Sequence, residues 1–141
     1  MKIGAVGLGN RIAHIFHELS QINQEAKLVA YVDPLPIGKD YAEKHNFFPK
    51  KTYATLDEML ANEKLDLLMI GSPNHLHLEH IKTGLNAGVK IFAEKPIVVD
   101  ENQSFELAKL LGEFGQDQVL VGLVLRYSQH ARSVRGLIDK N

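Results

Sequence analysis

Gly7 and Gly9 follow a short apolar run at the start of the chain, and an amphipathic helix pattern begins directly after them. One glycine lets the backbone turn sharply off a strand, and a second leaves no Cβ between the main chain and a phosphate. The helix that follows would direct its first backbone amides at such an anion. This arrangement predicts a site for the diphosphate of a dinucleotide, although glycine turns of this kind are also common in other α/β folds.

The third glycine of the G-x-G-x-x-G pattern is replaced by Ile12, and the small residue Ala13 comes one position later. A bulky side chain at this point predicts looser packing of the helix on the strand, or packing that Ala13 compensates. The contacts to a diphosphate would then depend on the backbone amides of Asn10, Arg11 and Ile12.

Asp33 ends the second apolar run of the chain. A carboxylate at the carboxyl end of the second strand is the group that accepts hydrogen bonds from the adenosine ribose in dinucleotide-binding folds. The simpler interpretation is that Asp33 and Pro34 only end the strand. Together with the glycine turn, Asp33 favours nucleotide binding. Its charge would repel a 2′-phosphate and no arginine follows directly, so the pattern favours NAD(H) over NADP(H), with Lys39 the nearest opposing cation.

Short apolar runs alternate with amphipathic segments, which is typical of β-α-β units that build a parallel sheet. The patterns predict strands near residues 2–7, 28–33, 66–71, 89–93 and 119–124, with a weak strand at 52–53. They predict helices near residues 11–22, 38–46, 55–62, 76–87, 101–114 and about 128–139. Thr55 and Glu58 form a plausible capping box. The predicted fold is therefore α/β, a doubly wound parallel sheet of the Rossmann type, in one domain over residues 1–141.

Composition narrows the classes of partner. The chain has a formal net charge of −1 and no cysteine. A near-neutral charge without a Lys/Arg block argues against nucleic acid or an anionic membrane as partner. The absence of cysteine excludes disulfides, thiolate metal sites and a cysteine nucleophile. The N-terminus is too short and polar for a signal peptide, and no uncharged stretch is long enough to span a membrane, so we expect a cytoplasmic protein.

Two later loops lie at the carboxyl ends of predicted strands, where ligands bind in doubly wound sheets. Their sequences are Gly71-Ser72-Pro73-Asn74-His75-Leu76-His77 and Ala93-Glu94-Lys95-Pro96. Ser72 and Asn74 are candidates to bond the phosphate and ribose of a cofactor, with Pro73 shaping the turn and Asn74 also suited to cap the following helix. The histidines of the first loop lack acidic or cysteine co-ligands beyond Glu79, so no metal site is predicted.

The order of these motifs resembles the N-terminal domain of the glucose-fructose oxidoreductase / inositol dehydrogenase / MocA family of NAD(P)-dependent oxidoreductases. That family shows a G-x-G turn, a strand-ending acid, a Ser/Thr-Pro-Asn-x-x-His loop, a Glu-Lys-Pro loop and an arginine after the sixth strand. The equivalents here are Gly7 and Gly9, Asp33, Ser72-Pro73-Asn74 with His77, Glu94-Lys95-Pro96, and Arg126. The resemblance covers nearly the whole chain.

The resemblance implies hydride exchange between a nicotinamide and a secondary alcohol or carbonyl of a small-molecule substrate, a sugar, cyclitol or polyol. It implies that Lys95 is the catalytic residue, with its ammonium facing the substrate oxygen, and that Glu94 lies near the nicotinamide ribose. Judged from the residues alone, a solvated loop lysine paired with Glu94 is the favoured interpretation of Lys95, and only the company of the other motifs reverses it. Arg126 approaches the nicotinamide carboxamide or the substrate, or else pairs with a surface carboxylate.

Family enzymes continue into a second α/β domain, which forms the substrate wall and usually the oligomer interface. This sequence ends at Asn141. We therefore expect the nucleotide-binding part of a homo-oligomeric oxidoreductase, which binds NAD(H) but turns over slowly or not at all without the other domain. Two alternatives stay open at this point. One is a non-catalytic, NAD(P)-responsive regulatory or binding module of the same fold, and the other is a methyltransferase, which shares the glycine turn and the strand-ending acid.

Overall fold

A computed structural model describes residues 1–139 of the chain, which form a parallel sheet with helices between successive strands. The strands are β1 (Lys2–Val6), β2 (Lys27–Val32), β3 (Lys51–Thr52), β4 (Leu67–Ile70), β5 (Lys90–Ala93) and β6 (Val119–Val121). The helices are α1 (Asn10–Ile22), α2 (Lys39–Lys44), α3 (Leu56–Asn62), α4 (His77–Asn86), α5 (Glu101–Phe114) and α6 (Gln129–Ile138). Short 3₁₀ helices cover Asn74–Leu76, Gln116–Gln118 and Val124–Tyr127.

The strand order is β3-β2-β1-β4-β5-β6, and all neighbouring pairs are parallel. The chain moves outward in one direction from β1 to β3 and in the opposite direction from β4 to β6. The order therefore reverses between β1 and β4, and a crevice opens there beyond the carboxyl ends of the strands. The predicted fold class, a doubly wound α/β sheet of the Rossmann type, is confirmed.

The central strands bury both faces of the sheet. Ile3 and Ala5 of β1 pack with Ile12 and Phe16 on one side, together with Met69 of β4. The alternate residues of the same strands belong to the core on the other face, which includes Val6, Leu68, Ile70, Ile81 and Ile91. Strands that are apolar on both faces read as continuous apolar runs, which is why sequence pattern located them closely.

Predicted and observed element ends differ by three residues at most. The largest difference is at β6, which was predicted to reach residue 124 but ends at Val121, because the chain turns into a 3₁₀ helix from Val124. The Thr55 cap of α3 is confirmed, because the Glu58 N–H donates to Thr55 Oγ1 at 3.1 Å. The reciprocal bond of the predicted capping box differs by one residue: the Glu58 carboxylate accepts from Ala54 N–H at 3.0 Å, not from Thr55 N–H. The last two positions of the predicted domain 1–141 lie outside the described residues.

Ile12 fits between helix and sheet without loosening them. Its side chain is 1% exposed. A Cβ on Gly71, at the end of β4, would collide with the Ile12 side chain, so Gly71 provides the space that Ile12 fills. The expected looser packing is therefore not observed, and the compensating residue is Gly71 rather than Ala13. Ala13 is fully buried and lies under Gly38, whose Cβ would come 3.0 Å from the Ala13 Cβ.

Candidate functional site

The turn between β1 and α1 contains two glycines with different structural demands. Gly7 has a φ of +81°, and a Cβ on it would collide with the backbone of Gly71 and Ser72. Gly9 has an ordinary φ of −79°, and a Cβ on it would meet no atom within 4 Å. Gly7 is therefore required by the fold, whereas within residues 1–139 no atom fills the space beside Gly9.

Helix α1 begins beside that open space without a side-chain cap. Gly9 occupies the cap position, and the first turn contains no acidic residue. The first backbone N–H groups of a helix lack partners within the helix, and its dipole favours negative charge at this end. The amides of Asn10, Arg11 and Ile12 are thus available to an anion such as a diphosphate.

Asp33 follows β2 and borders a cavity of about 590 Å³ on one side of the glycine turn. One oxygen of its carboxylate accepts a hydrogen bond from Leu35 N–H at 2.8 Å, which shapes the loop after the strand. Leu35 and Ile37 add apolar surface to the same cavity, and Gly7 and Gly9 form its other wall. A cavity with apolar walls and one carboxylate suits a nucleoside with ribose hydroxyls.

Gly38 ties this loop to the glycine turn, and the sequence analysis missed it. Its N–H donates to Leu8 O at 3.0 Å, and a Cβ on it would lie 2.7 Å from Gly9 O. Any larger residue would push the loop that carries Asp33 away from the turn. The only signal in the sequence was a lone glycine before a short helix, which many loops share.

His77 joins the two later loops. It is 1% exposed, and its ring nitrogens lie 2.7 Å from two backbone carbonyl oxygens, Nε2 from Ser72 O and Nδ1 from Pro96 O. The ring therefore contacts the backbone of both loops. Because its nitrogens already contact the backbone, His77 is better placed to position the loops than to bind a cofactor directly.

Ser72 lines the Asp33 cavity and a second cavity beside it, and Asn74 lines only the second. The Ser72 hydroxyl lies 2.8 Å from His80 Nδ1. Asn74 is exposed and begins the 3₁₀ helix Asn74–Leu76; neither that helix nor α4 has a side-chain cap, so the expected capping by Asn74 is not observed. Both residues, with Gly9, line this second cavity of about 230 Å³, which includes His77, Glu94 and Lys95.

Burial lowers the pKa of His80 from its ordinary value of 6.5, and the charge of nearby Glu79 opposes this shift only in part. The neutral ring is therefore favoured in the folded state. Stability from this group is fully present above the unfolded pKa and is lost as the pH falls from the unfolded pKa through the lower folded pKa. We predict that the His80→Gln variant loses less stability than the wild type between about pH 7.5 and about pH 5.5 in urea unfolding. An identical loss in both proteins would contradict this assignment.

Glu94 and Lys95 face different surroundings after β5. Glu94 is 8% exposed, and its carboxylate forms an ion pair with Arg11, with Nε 3.6 Å from Oε1. Lys95 is exposed and precedes Pro96 through a cis peptide bond. Among residues 1–139, the ion pairs of Glu94 do not include Lys95, so the proposed Lys95–Glu94 pair is not observed.

Arg126 lies across from Lys95 at a third cavity of about 480 Å³. The cavity is also lined by Arg11, Gly122, Leu123 and Leu125. Arg126 is exposed, and the ion pairs found in the described part of the chain do not include it, so pairing with a surface carboxylate is not observed. Contact of Arg126 with a nicotinamide or a substrate stays a prediction.

The three cavities form one row along the carboxyl edge of the sheet. The second cavity, of about 230 Å³, lies at the centre of the row and is called the central cavity. Gly9, Gly71 and Ser72 border both the Asp33 cavity and this central cavity. Arg11 and Lys95 border both the central cavity and the Arg126 cavity. This row suits an extended molecule with a nucleoside, an anionic centre and a second ring. The open space at Gly9 and the buried Glu94 Oε1, which has no hydrogen-bond partner among residues 1–139, show that the residues present fit a dinucleotide.

Residues 1–139 contain neither a group of side chains suited to a metal ion nor a helix suited to a bilayer. Within residues 1–139 there is no group of three or more His, Cys, Asp or Glu side chains arranged to hold a metal ion. No helix in the same part of the chain is both long and apolar enough to cross a bilayer.

Comparison with known proteins points to one family. Residues 1–123 match the profile of the GFO_IDH_MocA oxidoreductase family, NAD-binding Rossmann fold. The inositol 2-dehydrogenase of Rhizobium meliloti is 29% identical over 139 residues, which are 99% of this chain and 41% of that protein. An inositol 2-dehydrogenase of Corynebacterium glutamicum is 22% identical over 139 residues, with the same coverage. The chain thus spans about two fifths of the length of these relatives.

One solved structure is similar to this chain in both fold and sequence. The crystal structure of scyllo-inositol dehydrogenase from Lactobacillus casei, with bound cofactor NAD(H) and scyllo-inositol, superposes with a TM-score of 0.82 at 30% identity. The superposition covers 99% of this chain and 41% of that one. The methyltransferase alternative finds no support in these comparisons.

Proposed function

This chain belongs to the Gfo/Idh/MocA oxidoreductase family, and on that premise we propose that it binds NAD(H) along the row of three cavities as the nucleotide-binding domain of a dehydrogenase. The observation that carries the proposal is the geometry at the centre of the row. An uncapped helix N-terminus and open space beside Gly9 meet an unpartnered carboxylate oxygen of Glu94 there. These groups complement a diphosphate and a ribose hydroxyl respectively.

Each end of the row has a separate role in the proposal. Asp33 accepts hydrogen bonds from the adenosine ribose and disfavours a 2′-phosphate, so NAD(H) is bound in preference to NADP(H). The α1 amides bind the diphosphate, with Ser72 and Asn74 along its other side. Glu94 accepts from the second ribose, and Arg126 contacts the carboxamide or the substrate.

The proposed reaction takes place at the Lys95 end. The bound nicotinamide supplies or accepts a hydride. Lys95 directs its ammonium at the substrate oxygen and stabilises the negative charge that develops there as the carbonyl and alcohol interconvert. We propose a cyclitol or sugar substrate, because the relatives named above are inositol dehydrogenases. The parent protein, proposed to be a homo-oligomer, would bring further groups to this end, so the chain alone is expected to bind cofactor with little turnover.

Paired substitutions at the two ends test this division. Asp33→Ala removes the ribose acceptor and is expected to weaken NADH binding about tenfold. Lys95→Ala is expected to change the affinity less than about twofold, because the ammonium faces the substrate. Isothermal titration calorimetry measures both, and circular dichroism confirms that both variants fold. Equal losses in the two variants would contradict the assignment of Lys95 to the substrate.

A further inference from the structure

Glu94 has a carboxylate oxygen that the described protein leaves without a hydrogen-bond donor. The residue is 8% exposed, and its Oε1 is buried and unpartnered. The hydrogen bond from Glu94 N–H to Ile70 O, at 2.9 Å, fixes the backbone but not the carboxylate. The large majority of buried side-chain polar atoms in folded proteins have a hydrogen-bond partner, so Oε1 marks a position where a ligand donor is expected.

Two residues from other elements hold this carboxylate in place. Gly122, just after β6, gives it space, because a Cβ there would lie 2.9 Å from Oε1. Arg11 lies close to the same oxygen, with Nε 3.6 Å from Oε1. That separation allows an ion pair but is too long for a hydrogen bond. The guanidinium therefore compensates the charge while Oε1 stays free to accept from another group.

Arg11 is well placed to act on Glu94 from the crevice. It lies in the first turn of α1, its side chain is 55% exposed, and it lines both the central cavity and the Arg126 cavity. An arginine keeps its charge throughout the pH range in which proteins are folded. Arg11 thus opposes the charge of Glu94 at the place where the central cavity meets the Arg126 cavity.

We infer that Arg11 is a positioning residue, which holds the Glu94 carboxylate so that Oε1 accepts a hydrogen bond from a hydroxyl of the nicotinamide ribose. The inference rests on the proposed function, because it requires NAD(H) in the row of cavities. Since Arg11 acts through Glu94, its effect on affinity disappears when the Glu94 charge is absent.

The experiment compares NADH with ADP, which contains the adenosine and the diphosphate but not the second ribose. Both ligands are titrated by calorimetry into the wild-type chain, Arg11→Met, Arg11→Lys, Glu94→Gln and the Arg11→Met/Glu94→Gln double variant. Lys90→Met is the matched control, because Lys90 is an exposed cation at the opposite end of β5. Thermal unfolding of each variant confirms that the fold is retained.

Arg11→Met is expected to weaken NADH binding about tenfold and ADP binding less than about twofold. Arg11→Lys recovers most of the NADH affinity, because it restores the charge. Glu94→Gln also weakens NADH binding, and adding Arg11→Met to it causes little further loss, as expected for residues that act as a unit. Lys90→Met binds both ligands like the wild type.

Three results would overturn the inference while leaving the proposed function intact. If the Arg11→Met variant binds NADH as tightly as the wild-type chain does, Arg11 does not position Glu94. Equal losses for NADH and ADP would place Arg11 directly on the diphosphate. Additive losses in the double variant would show that the two residues act independently. A wild-type chain that binds neither ligand would overturn the proposed function together with this inference.

Discussion

Gly7→Ala is expected to lower the free energy of unfolding by about 3 kcal/mol or more, and to abolish NADH binding in the same step. The φ of +81° at this position is unfavourable for any residue with a Cβ. The added Cβ would also collide with the backbone of Gly71 and Ser72, which cannot move aside like a flexible side chain. Urea unfolding followed by circular dichroism measures the loss. A variant as stable as the wild type would show that the turn has a different conformation.

Gly9→Ala is expected to have the opposite profile. Its φ of −79° suits alanine, and the new Cβ would meet no atom of the protein within 4 Å. The free energy of unfolding is therefore expected to fall by less than about 1 kcal/mol, the typical cost of alanine at a helix cap position. The same Cβ would occupy the space proposed for the diphosphate, so NADH affinity is expected to fall at least about tenfold.

The two glycine variants are controls for each other. Each adds one methyl group to the same turn, two positions apart, yet the predicted consequences separate stability from binding. If Gly9→Ala binds NADH as tightly as the wild type does, the diphosphate does not lie beside Gly9. In that case the site proposed at the start of α1 is wrong, whatever the fold of the chain.

The sequence predicted the fold well because its signals are local. Apolar runs such as Leu67–Ile70 are continuous because both faces of β4 are covered, and each helix shows an amphipathic period of its own. The glycine turn and Asp33 were also recognisable, because their conformational and chemical roles restrict the residue types at those positions. The function of the two later loops, at residues 71–77 and 93–96, could be predicted only from the order of the motifs along the chain and the family that this order resembles.

What the sequence did not predict are contacts between distant segments. Ile12 fits because Gly71 lies opposite it, and no local pattern joins a residue of α1 to one at the end of β4. The Arg11–Glu94 ion pair replaces the Lys95–Glu94 pair that adjacency in the chain had suggested. The contacts of His77 with the backbone of both loops were likewise not visible in the sequence, and its predicted contact with the cofactor stays a prediction. Each of these depends on the sheet order, which brings the strand ends together.

Calorimetric titration of the purified chain with NADH and with NADPH, at moderate ionic strength, tests the central claim most directly. The account predicts saturable binding of one NADH per chain and weaker binding of NADPH, because the Asp33 carboxylate disfavours a 2′-phosphate. Absence of binding by either nucleotide would contradict the account, because it would show that the row of cavities from Asp33 to Lys95 is not a dinucleotide site.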